Sequence, residues 1–201
     1  MKATREASLG MMPEDDERAV RVHLGALHEA GHVIVACHFG LPITAIQVDD
    51  GPHPAGRVNV DVDERHPTPE LTCRMQITFA GGDAARSFVV GDALPTGDDR
   101  IEIVNRGVPD GYTTEGYLRE VSDAALEVLR KHGRELAALA WELDKAEMTP
   151  AEALALVTSP HRVTEALIER DALDGVPPRS SRSADVRHLV WRSLLPDRGG
   201  G

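Results

Sequence analysis

Two histidines and a glutamate in the first quarter of the chain, His28, Glu29 and His32, form the pattern His-Glu-x-x-His. In a helix, at ~1.5 Å and about 100° per residue, the two imidazoles lie one turn apart on one face, where both can reach one metal ion. Glu29 then projects beside them and can act on a water without being a ligand itself. The pattern predicts His28 and His32 as metal ligands and Glu29 as the catalytic base of a zinc hydrolase.

The alternative is a purely structural helix with two half-buried histidines and a surface glutamate, and no metal site. A third ligand would favour the metal site, because a catalytic zinc usually takes three protein ligands and one open position. Asp98 and Asp99, which follow Gly97, are the acidic residues best placed by context to supply it. Two carboxylates at this position are also typical of a simple helix start, so the sequence context alone leaves both roles open.

The residues around the motif predict one long helix. Pro13 and four acidic residues after it suit a first turn, and Gly40-Leu41-Pro42 suits the end of the helix. Apolar residues recur between them at steps of three and four, as expected for a helix interior: Leu24, Leu27, Ala30, Ile34 and Cys37.

The rest of the chain predicts a small β-hairpin followed by helices. Alternation over 43–48 and 57–62, with turn residues between them, predicts two strands. Helices are predicted from Pro67 to Gly91, through Ile101 and Val104, over 117–147 in two parts divided near 132–133, and over 150–157. Gly81-Gly82 in the second of these predicts a close backbone approach, most simply to the HExxH helix. The fold class is therefore mainly α with a small β-hairpin or sheet (α+β).

Composition and charge narrow the class of protein. The formal charge of −11 argues against a nucleic-acid backbone or anionic lipid as the main partner. No apolar run approaches the roughly 20 residues of a membrane span, and residues 1–18 lack an apolar signal core, so a cytoplasmic location is expected. Cys37 and Cys73 are too few for a disulfide framework and fall in apolar helical patterns, which predicts two buried free thiols.

The chain divides at a change of composition. We expect one domain over 1–158 and a C-terminal extension over 159–201. The extension contains a Pro- and Ser-rich linker over 175–183 and a short helical pattern over 185–195.

Several ordered motifs resemble the peptidase domain of the FtsH-type ATP-dependent zinc proteases. The run Leu27–Ala36 is similar to that family's HExxH helix, the segments at 41–48 and 56–58 to its strands, and Ala80–Ala85 to its AGRAAE helix. Thr96-Gly97-Asp98-Asp99 resembles its TGASND segment, and residues 138–152 resemble its closing helices. The resemblance implies a zincin-like helical peptidase domain whose third zinc ligand is Asp99, with Asp98 as the near alternative.

The departures from the family are as clear as the matches. No Gly-x-x-x-x-Gly-Lys-Ser/Thr loop occurs in the sequence, and neither the ATPase module nor the transmembrane segments of the family are visible. The family forms hexameric rings, so the resemblance implies a homo-oligomer, or else a separate ATPase partner. Asp83 and Arg86 stand where the family has Arg and Glu, which puts local salt bridges in doubt.

Together these features predict a Zn²⁺-dependent metallopeptidase that cleaves peptide bonds in flexible or unfolded polypeptides without an ATPase of its own. Its ligands would be His28, His32 and Asp99, and its catalytic base Glu29. The first alternative is a catalytically silent, metal-binding pseudoprotease that serves as a peptide or protein interaction module. The second is a helical assembly protein without metal.

Overall fold

The computed structural model describes residues 14–48, 56–62, 65, 67–91 and 94–174. Seven helices and one antiparallel pair of strands make up this part of the chain, which confirms the predicted fold class. In chain order the elements are α1 (Glu14–Phe39), β1 (Ile43–Val48), β2 (Gly56–Val60), α2 (Pro69–Val90), α3 (Gly97–Asn105), α4 (Thr114–Lys131), α5 (Gly133–Lys145), α6 (Pro150–Val157) and α7 (Pro160–Asp174).

Helix α1 is the central element of the fold. It packs against α2, α4, α5 and both strands, so its second half is covered on most sides. Leu27, Ala30, Val33 and Val35 are completely buried there. Because the HExxH motif lies in this same stretch, its side chains project from a closely packed part of the fold.

The predicted close approach of α1 and α2 is confirmed. A Cβ atom added to Gly31 would lie 2.7 Å from the Cβ of Ala85 and would overlap the carbonyl of Gly81. Conversely, a Cβ atom on Gly81 would lie 2.8 Å from the carbonyl oxygen of Gly31. Glycine is therefore required on both helices at this crossing, since any side chain would force them apart.

The two predicted strands pair with each other, although β2 ends at Val60 and not at Val62. Val48 pairs with Gly56 and Ile46 with Val58, and Ile46 is the buried residue that turns towards the core. Residues 49–55, where the turn was predicted, lie outside the described part of the chain.

Local capping explains where several helices begin. The Thr68 hydroxyl accepts from the backbone N–H of Leu71 at 3.1 Å, and Pro69 occupies the first turn of α2. Thr149 and Glu152 form a reciprocal capping box at the start of α6. The predicted division of the 117–147 stretch is confirmed at His132, between α4 and α5.

Three expectations need correction or extension. Cys73 is exposed rather than buried, whereas its neighbours Met75 and Gln76 on α2 are buried; Cys37 is partly buried. In α3 the buried apolar residue is Ile103, whereas Ile101 is 54% exposed. Helix α7 was not predicted.

Helix α7 lies beyond the boundary predicted at residue 158. It packs on α5 and buries Val163 and Leu167 against the main core cluster. The division into 1–158 and 159–201 stays a prediction. Both the linker predicted over 175–183 and the helix predicted over 185–195 lie outside the described residues.

Candidate metal centre

His28, Glu29 and His32 lie on the face of α1 that is turned towards a cleft between β2, α2 and α3. Their helical spacing brings the imidazoles together, with ring centroids 4.6 Å apart and planes at 90°. Gly82 of α2 makes room for the first of them, since a Cβ atom at that position would overlap the His28 ring. The sequence therefore provides both the histidines and the space that the rings need.

Asp99, on the first turn of α3, completes a group of three ligand-type side chains. Its Oδ2 atom lies 3.1 Å from His28 Nε2 and 3.4 Å from His32 Nε2. The two Nε2 atoms are 3.1 Å from each other. Three atoms that can each donate a lone pair thus meet at one point, although Asp99 is 67 residues or more from either histidine in the sequence (99 − 32 = 67).

The hydrogen bond on the far side of His32 defines what this group needs. His32 Nδ1 lies 2.8 Å from the backbone carbonyl oxygen of Thr78, which can only accept, so Nδ1 carries a proton. In neutral His32 the Nε2 atom therefore presents a lone pair towards Asp99 and His28. Such an arrangement is repulsive unless a positive charge, either a proton or a metal ion, lies among the three groups.

The spacing of the three atoms fits a single small metal ion. In a tetrahedral site with bonds of about 2.0–2.1 Å, ligand atoms are separated by about 3.3 Å. The three separations in this centre, 3.1, 3.1 and 3.4 Å, are close to that value. His28, His32 and Asp99 could therefore hold a metal ion.

In the absence of an ion, a proton supplies the positive charge. Burial by itself disfavours a charged His32, but the hydrogen bond and the negative charge of Asp99 outweigh it and raise the pKa of His32 from 6.5 to about 9. Burial acts on Asp99 in the opposite sense, and the hydrogen bonds to His28 and His32 overcome it, so the pKa of Asp99 falls well below its usual range.

The position of Asp99 depends on how α3 is anchored at both ends. At its start, the backbone N–H of Thr96 donates to Asp83 Oδ2 at 2.8 Å. At its end, the buried Gln76 amide donates to the carbonyl oxygens of Ile103 and Gly107, each at 2.8 Å. Two polar side chains of α2 thus hold the nine-residue helix that carries the third ligand-type side chain.

The adjacent aspartates of α3 differ sharply in their surroundings. Asp99 points inward and its side chain is 17% exposed, whereas Asp98 is exposed and contributes no atom to the group of three. A helix rotates by about 100° per residue, and in α3 this rotation turns Asp99 towards the histidines and Asp98 away from them. The structure therefore brings Asp99, and not Asp98, to His28 and His32.

Glu29 is a buried carboxylate beside the two histidines. Only 2% of the residue is exposed, and among the described residues its Oε2 atom has no hydrogen-bond partner. Burial raises the pKa of Glu29 above 4.5, while the two histidines oppose that rise. Gly56 of β2 borders the carboxylate so closely that a Cβ atom there would overlap it. A desolvated carboxylate of this kind suits a general base.

The centre opens into a cleft of about 650 Å³. Strand β2 forms one wall through Gly56–Val60, and α3 forms the opposite wall through Asp98, Asp99 and Ile101. In the described part of the chain β2 is paired only with β1, so its other edge has no strand partner. The cleft is thus bordered by a strand edge, with Glu29 and His32 at its base.

Four contributions to the centre were not found from the sequence. They are the carbonyl of Thr78, the carboxylate of Asp83 and the absent side chains of Gly56 and Gly82. Every residue has a backbone carbonyl, so the sequence cannot show which one binds a histidine. Glycines are common in turns and at helix crossings, so they do not indicate a metal centre. Asp83 was noted only as a departure from the FtsH pattern.

No family model matches the chain, and a search of curated proteins found no match. The likeness to the FtsH-type peptidases therefore rests on the motifs quoted above and stays a prediction. Within the described residues, no helix combines the length and the apolar character that crossing a membrane requires.

Proposed function

We propose that this protein is a zinc-dependent endopeptidase, with His28, His32 and Asp99 as the zinc ligands and Glu29 as the catalytic base. One observation carries the proposal: three lone-pair atoms at tetrahedral spacing lie beside the buried carboxylate of Glu29, whose Oε2 atom has no hydrogen-bond partner among the described residues. Two imidazoles and one carboxylate are a ligand set typical of catalytic zinc, which keeps a fourth position open. When bound, zinc acidifies water and polarises a carbonyl group.

Glu29 supplies the acid–base step in this proposal. Its carboxylate takes a proton from the attacking water and delivers it to the amine that leaves as the peptide bond breaks. Burial raises the pKa of Glu29 and so makes its carboxylate a stronger base than one in water. No metal-binding role requires a desolvated carboxylate at this position, because Glu29 is not among the three ligand-type groups.

The cleft favours an extended, flexible polypeptide as substrate. A peptide that binds along the open edge of β2 would form main-chain hydrogen bonds with that strand and pass the centre in an extended conformation. A folded domain does not offer such a segment, whereas an unfolded or flexible chain does. We therefore assign peptide bonds in flexible or unfolded polypeptides as the substrate class, in agreement with the FtsH-type resemblance.

The decisive experiment compares the wild-type protein with Glu29→Gln on a quenched fluorescent peptide library and on an unstructured protein such as casein. We expect Glu29→Gln to lose at least about 100-fold in kcat/KM, the lower range for loss of a general base. It should still bind about one zinc per chain by elemental analysis, because glutamine preserves the shape of the side chain and the three ligands are intact. Glu127→Gln is the matched control, since Glu127 is exposed on α4 and pairs with Lys131.

Two outcomes would contradict the proposal in different ways. Cleavage by Glu29→Gln at the wild-type rate would remove the assigned base. A wild-type protein that holds zinc and cleaves nothing in either assay would favour the silent interaction module instead.

A further inference from the structure

Asp83 is a buried carboxylate that lies beside both parts of the metal centre, His28 on α1 and the start of α3, without belonging to the group of three. It lies on α2 and is 2% exposed. Its Oδ2 atom accepts hydrogen bonds from the backbone N–H of Thr96 at 2.8 Å and from the Thr96 hydroxyl at 3.2 Å. Its Oδ1 atom lies 3.3 Å from Arg86 Nη1 and 3.7 Å from His28 Nδ1, the second separation being slightly longer than a direct hydrogen bond.

The contacts of Oδ2 fix the start of α3. Thr96 is the N-cap residue of that helix, but its hydroxyl makes no capping bond and turns to Asp83 instead. Asp99 follows Thr96 by three residues, so a bond that fixes the N-cap also fixes the height of Asp99 beside the histidines. Removing it would free the end of α3 nearest the centre, because the other anchor, Gln76, holds the opposite end.

The Oδ1 atom of Asp83 faces His28 on α1, the helix that carries the two histidines. His28 Nδ1 is buried and has no hydrogen-bond partner within the described residues. His32, by contrast, already has the carbonyl of Thr78 as an acceptor for its Nδ1 proton. If His28 gives the lone pair of Nε2 to a metal ion, its Nδ1 must carry the proton, and a buried donor of this kind needs an acceptor.

We propose that Asp83 is a positioning residue of the metal centre: it accepts the Nδ1 proton of His28 and at the same time holds the N-terminus of α3 that carries Asp99. This inference rests on the proposed zinc site and assigns to that site a residue that neither the HExxH motif nor the three-ligand geometry includes. A carboxylate behind a ligating histidine fixes the tautomer and the ring orientation and makes the imidazole a better donor.

The test measures metal binding and does not depend on peptidase activity. In Asp83→Asn, one amide oxygen replaces two carboxylate oxygens. If that oxygen keeps the bond to Thr96, the amide N–H₂ faces His28 Nδ1–H and donor meets donor. We expect the zinc affinity, measured by competition with a chromophoric chelator, to fall about 10- to 100-fold. We also expect the visible absorption bands of the Co²⁺-substituted protein to change, since these report the ligand geometry.

Asp123→Asn is the matched control, because Asp123 is exposed on α4 and makes no contact with the centre among the interactions described. A purely structural role for Asp83 would lower the melting temperature of the metal-free protein but leave the zinc affinity and the Co²⁺ spectrum of the folded variant unchanged. That result would overturn the inference. If the wild type itself binds no zinc, the proposed function fails first, so the two failures are distinguishable.

A second variant keeps the test informative if Asp83→Asn does not fold. Thr96→Val removes only the hydroxyl contact to Asp83 and retains the backbone N–H bond. We expect a smaller loss of zinc affinity, about three- to tenfold, because α3 remains partly anchored. Wild-type affinity in Thr96→Val together with wild-type affinity in any folded Asp83 variant would exclude the positioning role.

Discussion

At the scale of single residues, the ion pair of His32 and Asp99 predicts how the metal-free protein responds to pH. The folded state raises the pKa of His32 from 6.5 to about 9, so the stabilisation that it contributes is complete below about pH 6.5 and is lost as the pH rises through about 9. The folded state lowers the pKa of Asp99, so its contribution is present above its unfolded pKa of 3.8 and is lost as the pH falls below that value.

We therefore expect the metal-free protein to lose on the order of 3 kcal/mol of this contribution between pH 6.5 and pH 9. Urea unfolding in the presence of a chelator measures it, as the change with pH in the free energy of unfolding. Asp99→Asn should flatten the dependence because it removes the partner of His32, whereas Asp98→Asn should retain it. An unchanged slope in Asp99→Asn would show that the pair does not determine the titration of His32.

The residues of the centre differ in how far the sequence could predict them. The sequence was sufficient to predict His28, Glu29 and His32 as a group, because one helix determines their geometry and helical spacing is a local property. Asp99 came from the family resemblance, since the sequence context alone left Asp98 equivalent to it. Only the rotation of α3 against α1 separates the two aspartates, and that rotation depends on bonds from Asp83 and Gln76 of a third helix.

At the scale of elements, the crossing of α1 and α2 determines the position of His32. We expect Gly31→Ala to destabilise the fold by about 1–3 kcal/mol or more, because the added methyl group would overlap the backbone of α2 and neither helix can yield without moving the other. It should also weaken zinc binding, since the His32 Nδ1 bond to the Thr78 carbonyl spans the same two helices.

Gly25→Ala is a matched control on the same helix. No atom of the described residues lies within 4 Å of a Cβ atom at that position, so the substitution gains helix propensity of up to about 1 kcal/mol without a clash. Thermal or urea unfolding of the two variants should therefore give changes of opposite sign. A neutral Gly31→Ala would mean that the two helices can separate freely at their crossing.

The elements themselves were predictable where local patterns are strong. The hairpin, the break at His132 and the capped starts of α2 and α6 follow from alternation, periodicity and capping residues. Helix α7 was missed because residues 159–174 were assigned to the C-terminal extension together with the Pro- and Ser-rich segment that follows them. Cys73 was placed inside because an apolar pattern does not show which face of a helix another element covers.

At the scale of the whole molecule, the candidate metal centre joins elements that are distant in the chain. Two of its ligand-type groups belong to the central helix α1, and the third belongs to α3, which packs mainly on α2. An ion bound there would therefore connect the central helix α1 directly to α3. A ligand that binds only the folded state stabilises it by RT ln(1 + [L]/Kd), which is about 4 kcal/mol when the free ligand is at 1,000 times Kd.

We expect zinc at that excess to raise the melting temperature of the wild-type protein by about 8–16 °C relative to the chelated protein, given about 2–4 °C per kcal/mol for a domain of this size. Asp99→Asn should lose most of the shift because it weakens the third ligand, and Asp98→Asn should keep all of it because Asp98 lies outside the group. Equal shifts in both variants would place the ion elsewhere. Since the measurement needs no substrate, it tests whether a metal ion joins α1 to α3 independently of any peptidase activity.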